Sequence, residues 1–241
     1  MANIAMLLDS EEGHLFPTFR LAKDLEKRGH QVWYLGYRSA EQFVCQQGLK
    51  FMPALGDASP AQQIEPRLPL RPLLSGRALD GAVESIACDV FLTLSMFCLE
   101  ALILRYRYKT PVILLRSNFS LMSRARLCRD IVIGRLMEST DGAYELVEML
   151  LSAGLSIKNF SDIAALVVDE MPEIVLFPEV FGSKEMSSDK KLCYAGFAVD
   201  AKRFDDSFDW GGIEDNRKLI YCSLGSQAHL RLEASRLFLG S

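Results

Sequence analysis

The chain has 241 residues and a formal net charge of −4, with 27 Lys and Arg against 31 Asp and Glu. Hydrophobic residues make up 49% of it, which predicts a sizeable core in one large domain or in one and a half smaller ones. Binding of nucleic acid requires concentrated Lys and Arg, and the sequence has no basic tract. The composition therefore excludes nucleic acid as a partner.

Targeting and redox features point to the cytoplasm. The opening MANIAMLLDSEEGH has no basic segment and is interrupted early by acids, which argues against a signal peptide. Ala87–Leu104 is long enough to span a membrane, but it contains Asp89 and Glu100, and charges are costly inside a bilayer. The six cysteines lack C-x-x-C spacing, which indicates free thiols in a reducing compartment rather than a zinc site or a disulfide framework.

The first half of the chain alternates predicted strands and helices. Asn3–Leu8 is an apolar run typical of a buried strand. A helix is predicted over Pro17–Arg28, because Pro favours the first turn and Gly29 stands at the stop position. Further predicted elements are strands at 31–36 and 49–53, helices at 40–47 and 78–87, and between them a Pro-rich excursion over 55–75. Such alternation on short connections predicts parallel strands with right-handed crossovers.

The second half continues this alternation and then changes character. Its predicted elements are strands at 89–95, 111–115, 173–178 and 191–197, and helices at 96–107, 124–137, 143–153 and 162–171, the last capped by Ser161. An acidic, unpatterned linker follows over 200–216, then a strand at 218–226 and a helix at 227–239. We therefore predict an α/β fold with a mostly parallel sheet flanked by helices over 1–199, and the beginning of a second, truncated domain over 217–241.

Three ordered stretches together resemble a known family. They are GHLFP with a helix ending in RGHQVWYLG, then PEIVLFPEVF with LCYAGFAVD, and then LIYCSLGS after the linker. In this combination the chain resembles the N-terminal half of a GT-B fold glycosyltransferase of the UDP-glycosyltransferase type, a group that includes bacterial natural-product enzymes. The resemblance implies two Rossmann-like domains facing a cleft, the first for the acceptor and the second for a nucleotide sugar. It also implies inversion at the anomeric carbon with no metal in the site.

His14 is the predicted catalytic base. An acceptor alcohol is a weak nucleophile, so a neutral imidazole in hydrogen-bond reach must take its proton during attack. His14 follows the first strand, where ligands bind in open α/β sheets. The positive end of the following helix is expected to lower the pKa of His14 and keep it neutral. In the family that the chain resembles, the His of this G-H-x-x-P stretch is the general base.

The acid that would orient His14 is less clear. The resemblance implies an Asp after the fourth strand, at a position that falls near Leu102 or Ile103. Glu100 is the nearest carboxylate and is predicted as its replacement. Two alternatives stay open at this point, that His14 works unaided or that catalysis is weak or absent. A capping or solvated role for Glu100 is a further reading.

The remaining predicted site residues fall into two groups. By resemblance, the turn of Ser223, Gly225 and Ser226 lies near the donor diphosphate, which suits a turn beside a helix N-terminus. Predicted acceptor contacts are Gly13, Phe97, Phe119 and Met122, because an apolar lining suits a hydrophobic acceptor. For each of the three apolar side chains, ordinary core packing is the favoured alternative.

The sequence thus predicts the acceptor half of a glycosyltransferase that uses a UDP- or dTDP-sugar as co-substrate and no metal or other cofactor. We expect this chain to be inactive alone. Its predicted partners are a small hydrophobic acceptor and a nucleotide sugar bound through the missing half, and peripheral membrane contact stays open. One alternative is a non-catalytic partner module of a split glycosyltransferase. Another, an unrelated nucleotide-binding protein, is disfavoured because no G-x-G-x-x-G follows the first strand.

Overall fold

A computed structural model describes residues 1–57, 70–76, 79–118, 122–138, 142–182, 186 and 189–198. Its strands are β1 (Asn3–Leu7), β2 (Gln31–Leu35), β3 (Lys50–Met52), β4 (Val90–Leu94), β5 (Val112–Arg116), β6 (Glu173–Val175) and β7 (Leu192–Tyr194). Its α-helices are α1 (Glu12–Lys27), α2 (Glu41–Gln46), α3 (Leu70–Ser75), α4 (Asp80–Ile86), α5 (Cys98–Arg107), α6 (Arg124–Glu138), α7 (Ala143–Ser152) and α8 (Phe160–Glu170). The predicted linker and second domain lie outside these residues.

The strands form one parallel sheet in the order β3-β2-β1-β4-β5-β6-β7. Consecutive strands β1 and β2 pair directly, with Leu7 opposite Leu35. On its other side β1 pairs with β4, with Leu7 opposite Thr93. This order confirms the predicted α/β class and the parallel sheet.

The core lies on both faces of the central strands. Residues 4–7 of β1 and residues 91–94 of β4 are all buried. Parallel strands covered by helices on both faces read as continuous apolar runs, which is why these strands could be recognised from the sequence. Among the described residues, no helix is long and apolar enough to cross a membrane. The five cysteines in the described part are free thiols.

The predicted start of the first helix was wrong. Helix α1 begins at Glu12, and Pro17 lies inside it. Its first turn forms because the backbone N–H groups of His14 and Leu15 donate to the Glu11 carbonyl at 3.0 and 2.8 Å. Pro17 is the sixth residue of this helix, past the first four N–H groups that lack an intrahelical partner, so it costs α1 one hydrogen bond, to the Gly13 carbonyl. His14 therefore lies in the first helical turn and not in a loop.

The predicted cap of α8 was also wrong. The N-cap is Asn159, whose side chain accepts from the backbone N–H groups of Ser161 and Asp162. The Asp162 carboxylate in turn accepts from the Asn159 N–H at 3.0 Å, which completes a capping box. Such reciprocal pairs satisfy two exposed N–H groups at once, so Asn159 displaces Ser161 from the predicted role.

Candidate functional site

The candidate site lies where the chain connections diverge. From β1 the chain passes through α1 to β2 on one side, whereas β4 lies on the other side of β1. A crevice opens at the carboxyl ends of two such strands, and ligands of open α/β sheets bind there. Asp9 and the first turn of α1 follow β1 at this edge, and the start of α5 follows β4.

Two side chains from the turn between β1 and α1 are joined at this edge. The Nδ1 atom of His14 lies 2.8 Å from the Oδ2 atom of Asp9. The second Asp9 oxygen, Oδ1, accepts from the backbone N–H of Glu11 at 3.2 Å. The Asp9 side chain is 1% exposed and that of His14 is 13% exposed. A nearly buried carboxylate thus holds a partly accessible imidazole.

This contact fixes which imidazole nitrogen is available. A carboxylate only accepts hydrogen bonds, so Nδ1 of His14 must carry the proton that it donates to Asp9. In the neutral ring the lone pair then resides on Nε2. A neutral imidazole oriented in this way is prepared to take a proton at Nε2, and Asp9 stabilises the imidazolium that forms.

Both members of the pair hold protons more tightly than usual. Burial alone lowers the pKa of His14, but the hydrogen bond and charge of Asp9, with the charge of Glu11, raise it on balance above its ordinary value of 6.5. Burial raises the pKa of the Asp9 carboxyl above 3.8, and His14 offsets this only in part. The expected lowering of the His14 pKa by the helix terminus is therefore corrected, because the adjacent carboxylate outweighs it.

Glu100, the predicted partner of His14, forms an ion pair with an arginine of another helix. Its carboxylate is fully buried in the first turn of α5, and Oε1 accepts from Nη1 of Arg135 in α6 at 2.9 Å. Burial of a carboxylate is costly unless a cation pairs with it. The Glu100–Arg135 pair thus joins α5 to α6, while Asp9 is the carboxylate bonded to Nδ1 of His14.

Solved structures match this arrangement of strands and helices. The chain is 23% identical to the glycotransferase of kitacinnamycin, with a TM-score of 0.57, over 87% of this chain and 56% of that one. It is 16% identical to the calicheamicin glycosyltransferase, with a TM-score of 0.58, over 81% and 53% of the two chains. The match to the spinosyn forosaminyltransferase has 16% identity and a TM-score of 0.54, over 82% and 51%. This is the fold of the N-terminal half of a GT-B glycosyltransferase.

The chain spans about half the length of these three glycosyltransferases, at 56%, 53% and 51%. No family model matches it, and no curated protein sequence does. The fold that the three motifs predicted is thus confirmed as a GT-B fold. The support comes from the order and direction of the strands.

The four predicted acceptor contacts differ in how exposed they are. Gly13 is exposed in the first turn of α1, beside His14. Met122 is 37% exposed, whereas Phe97 is 1% exposed and packs in the core. Phe119 lies outside the described residues. Only Gly13 and Met122 among these four therefore have described surface that an acceptor could touch.

The structure gives little information about the predicted donor turn and about metal ligands. Ser223, Gly225 and Ser226 lie beyond the described residues, so their role stays a prediction. Within the described ranges, no three His, Cys, Asp or Glu side chains are grouped as metal ligands would be. Two pockets, of about 480 and 670 Å³, contain neither His14 nor Met122. Both pockets therefore lie away from the Asp9–His14 pair.

Sequence reasoning missed Asp9 as a site residue. The resemblance implies an orienting acid after the fourth strand, and Asp9 follows the first strand instead. A signal was nevertheless available, because Asp9 is the first acid after an apolar strand and precedes His14 by five residues. That spacing brings the two together only when a helical turn begins at Glu12, and the predicted helix began later.

Proposed function

We propose that this chain is the acceptor half of an inverting glycosyltransferase, which transfers a sugar from a UDP- or dTDP-sugar to a hydroxyl of a small hydrophobic molecule. The observation that carries the proposal is the Asp9–His14 pair, at 2.8 Å, on the ligand-binding edge of a GT-B sheet. The three similar glycosyltransferases support the general reaction.

The proposed reaction is a single displacement. Nε2 of His14 takes the proton of the acceptor hydroxyl while the hydroxyl oxygen forms a bond to the anomeric carbon. The bond from that carbon to the nucleoside diphosphate breaks on the opposite face, and the diphosphate leaves with the electron pair. Asp9 stabilises the positive charge that builds on His14. Base catalysis of this kind contributes about 10²–10⁴-fold to the rate.

The rest of the proposed enzyme binds the donor. Ser223, Gly225 and Ser226 are proposed to contact the donor diphosphate together with a second Rossmann-like half, so the present chain alone is proposed to be inactive. We propose no metal or organic cofactor. A cytoplasmic location is supported by the free thiols of the described cysteines.

Sugar transfer by the complete gene product tests the function. Aromatic alcohols would be incubated with UDP-glucose or dTDP-glucose, and the glycoside followed by mass spectrometry. His14→Ala should lower kcat by about 10²-fold or more, because the group proposed to take the proton of the acceptor hydroxyl is removed. His30→Ala is the matched control and should retain transfer. Retention of full activity by His14→Ala would remove His14 from the proposed role.

A further inference from the structure

A buried tyrosine hydroxyl lies at the same sheet edge as the Asp9–His14 pair. Tyr37 is the second residue after β2, the strand that pairs with β1. Pairing continues one step beyond Leu7 and Leu35, because the Leu8 N–H donates to the Leu35 carbonyl at 3.2 Å. In this parallel register Tyr37 stands level with Asp9.

The backbone of Tyr37 is fixed while its hydroxyl is not paired. The Tyr37 carbonyl accepts from the Ala40 N–H at 2.9 Å, and the next residue, Arg38, donates to the Gly56 carbonyl at 2.8 Å. Tyr37 is 3% exposed, and within the described part of the chain its hydroxyl has no hydrogen-bond partner. By contrast, the buried hydroxyl of Tyr34 in β2 pairs with the Thr18 hydroxyl at 2.8 Å.

An unpaired buried hydroxyl calls for a physical explanation. Burial of a polar group without a partner costs free energy, so native proteins keep few such groups, and functional sites are one place where they persist. Burial and then the charges of Glu100 and Asp9 raise the pKa of Tyr37 to about 12. The phenol is therefore neutral at physiological pH and able to donate, and it lies near the carboxylate that holds His14.

We propose that the Tyr37 hydroxyl is a specificity-determining contact, which donates a hydrogen bond to a second oxygen atom of the acceptor, next to the hydroxyl that His14 deprotonates. This inference rests on the proposed function. It defines the acceptor class as apolar molecules with two neighbouring oxygens, such as vicinal or ortho diols. The hydroxyl is closed off in the described conformation, so the contact forms when a bound molecule displaces the side chains that cover it.

Two measurements on Tyr37→Phe test the proposal with this chain. The first is thermal unfolding without ligand, in which removal of an unpaired buried hydroxyl should raise Tm. The second is NMR-monitored binding of 2,3-dihydroxynaphthalene and 2-naphthol, which differ by one neighbouring oxygen. The wild-type chain should prefer the diol by about three- to tenfold, the value of one net hydrogen bond. Tyr37→Phe should lose this preference and keep its affinity for 2-naphthol.

Tyr144→Phe is the matched control, because Tyr144 is 78% exposed, and it should change neither Tm nor the preference. The proposal is overturned by an unchanged preference in Tyr37→Phe, by no binding or no preference in the wild-type chain, or by a lower Tm of Tyr37→Phe, which would mean that the hydroxyl has a partner. Loss of transfer in His14→Ala would leave the proposed function standing in any of these cases. Its retention would sink the proposed function separately.

Discussion

At the scale of single residues, Asp9 sets both the orientation and the proton affinity of His14. Its carboxylate selects the ring tautomer, and the same contact raises the pKa of His14 above 6.5. A raised pKa makes the neutral imidazole a stronger base but reduces the fraction that is neutral near pH 7. The pair therefore favours the proton-bound state, which suits a base whose charged form must be stabilised during attack.

Asp9→Asn should lower the pKa of His14. The amide removes the negative charge and the charge-assisted hydrogen bond, whereas the burial that lowers the pKa remains. The measurement is a pH titration of the His14 ring resonance by NMR, which is tractable because the chain has three histidines.

Asp130→Asn is the matched control for this titration. Asp130 is about half exposed on α6, and its ion pairs are with Arg126 and Arg129. Its removal should leave the His14 titration unchanged. An Asp9→Asn chain whose His14 titrates as in the wild type would show that Asp9 does not control the imidazole.

Gly36 follows β2 at a point where the backbone packs closely against the residue after β1. A Cβ atom at this position would lie 2.9 Å from the backbone oxygen of Leu8, the residue that precedes Asp9. We expect Gly36→Ala to destabilise the chain by about 1–3 kcal/mol, because a backbone atom must move to relieve the contact. Urea unfolding measures the loss.

Gly81→Ala provides the opposite expectation in the same experiment. Gly81 lies inside helix α4, and a Cβ atom there would meet nothing within 4 Å. Alanine should therefore stabilise the chain by about 0.5–1 kcal/mol, the difference in helix propensity. If both variants lowered stability equally, the contact with Leu8 would not be the cause.

At the scale of elements, a buried carboxylate joins two strands and two helices. Glu173 in β6 accepts from Nε and Nη2 of Arg116 in β5 at 2.6 and 3.2 Å. Its Oε2 also lies 3.0 Å from Nε of Arg124 in α6. Arg124 in turn donates to the carbonyls of Val167, Val168 and Met171 at the end of α8. These groups are buried, so the strength of each contact depends on the presence of the others.

Glu173→Ala should be strongly destabilising, by about 3–5 kcal/mol, because it leaves two buried guanidinium groups without their carboxylate. The free energy of urea unfolding measures the effect. The double variant Arg116→Met with Glu173→Met should lose less than Glu173→Ala, because it leaves one buried guanidinium, that of Arg124, without the Glu173 carboxylate instead of two.

A surface pair calibrates this prediction. Arg71 and Glu145 lie 3.4 Å apart with side chains 60% and 45% exposed. Glu145→Ala should cost less than about 1 kcal/mol. A loss on Glu173→Ala that is as small as this would mean that the buried carboxylate does not hold the four elements together.

Elements were predictable where a local pattern determined them. Apolar runs gave β1, β2, β4 and β5 to within one or two residues, because buried parallel strands must be apolar on both faces. Helix starts were less predictable. Pro17 and Ser161 both suit a first turn, but the actual starts depend on backbone hydrogen bonds to Glu11 and on the Asn159 capping box.

Contacts between distant or newly placed residues were not predictable. The Asp9–His14 bond depends on the true start of α1, and the placement of Tyr37 depends on the strand register. Glu100 is close in sequence to the position where the acid was expected, but its carboxylate pairs with Arg135 from another helix. Such pairings are properties of the folded chain, and the sequence pattern alone does not determine them.

At the scale of the whole molecule, the raised pKa of His14 makes stability depend on pH. A folded form that binds a proton more tightly gains stability that is fully present below 6.5 and is lost as pH rises through the folded-state pKa. The pKa of Asp9 is raised too, so its contribution to stability is fully present below pH 3.8 and is lost as the pH rises through its folded-state pKa.

The expected result is a wild-type chain that loses unfolding free energy, relative to His14→Gln, as the pH rises above about 6.5. Parallel urea titrations of the two chains measure the difference, which removes the contribution of other titrating groups. A difference that stays constant with pH, or that grows in favour of the wild type, would contradict the raised pKa of His14.

Pro17 inside α1 has a consequence for exchange with solvent. It has no N–H to donate to the Gly13 carbonyl, so the first turn is attached to the rest of the helix by one hydrogen bond fewer. That turn contains His14. It can therefore open as a separate unit while the later turns remain closed, and its amide protons should exchange for deuterium before theirs do. The imidazole thus lies on a part of the helix that can move while the later turns stay closed.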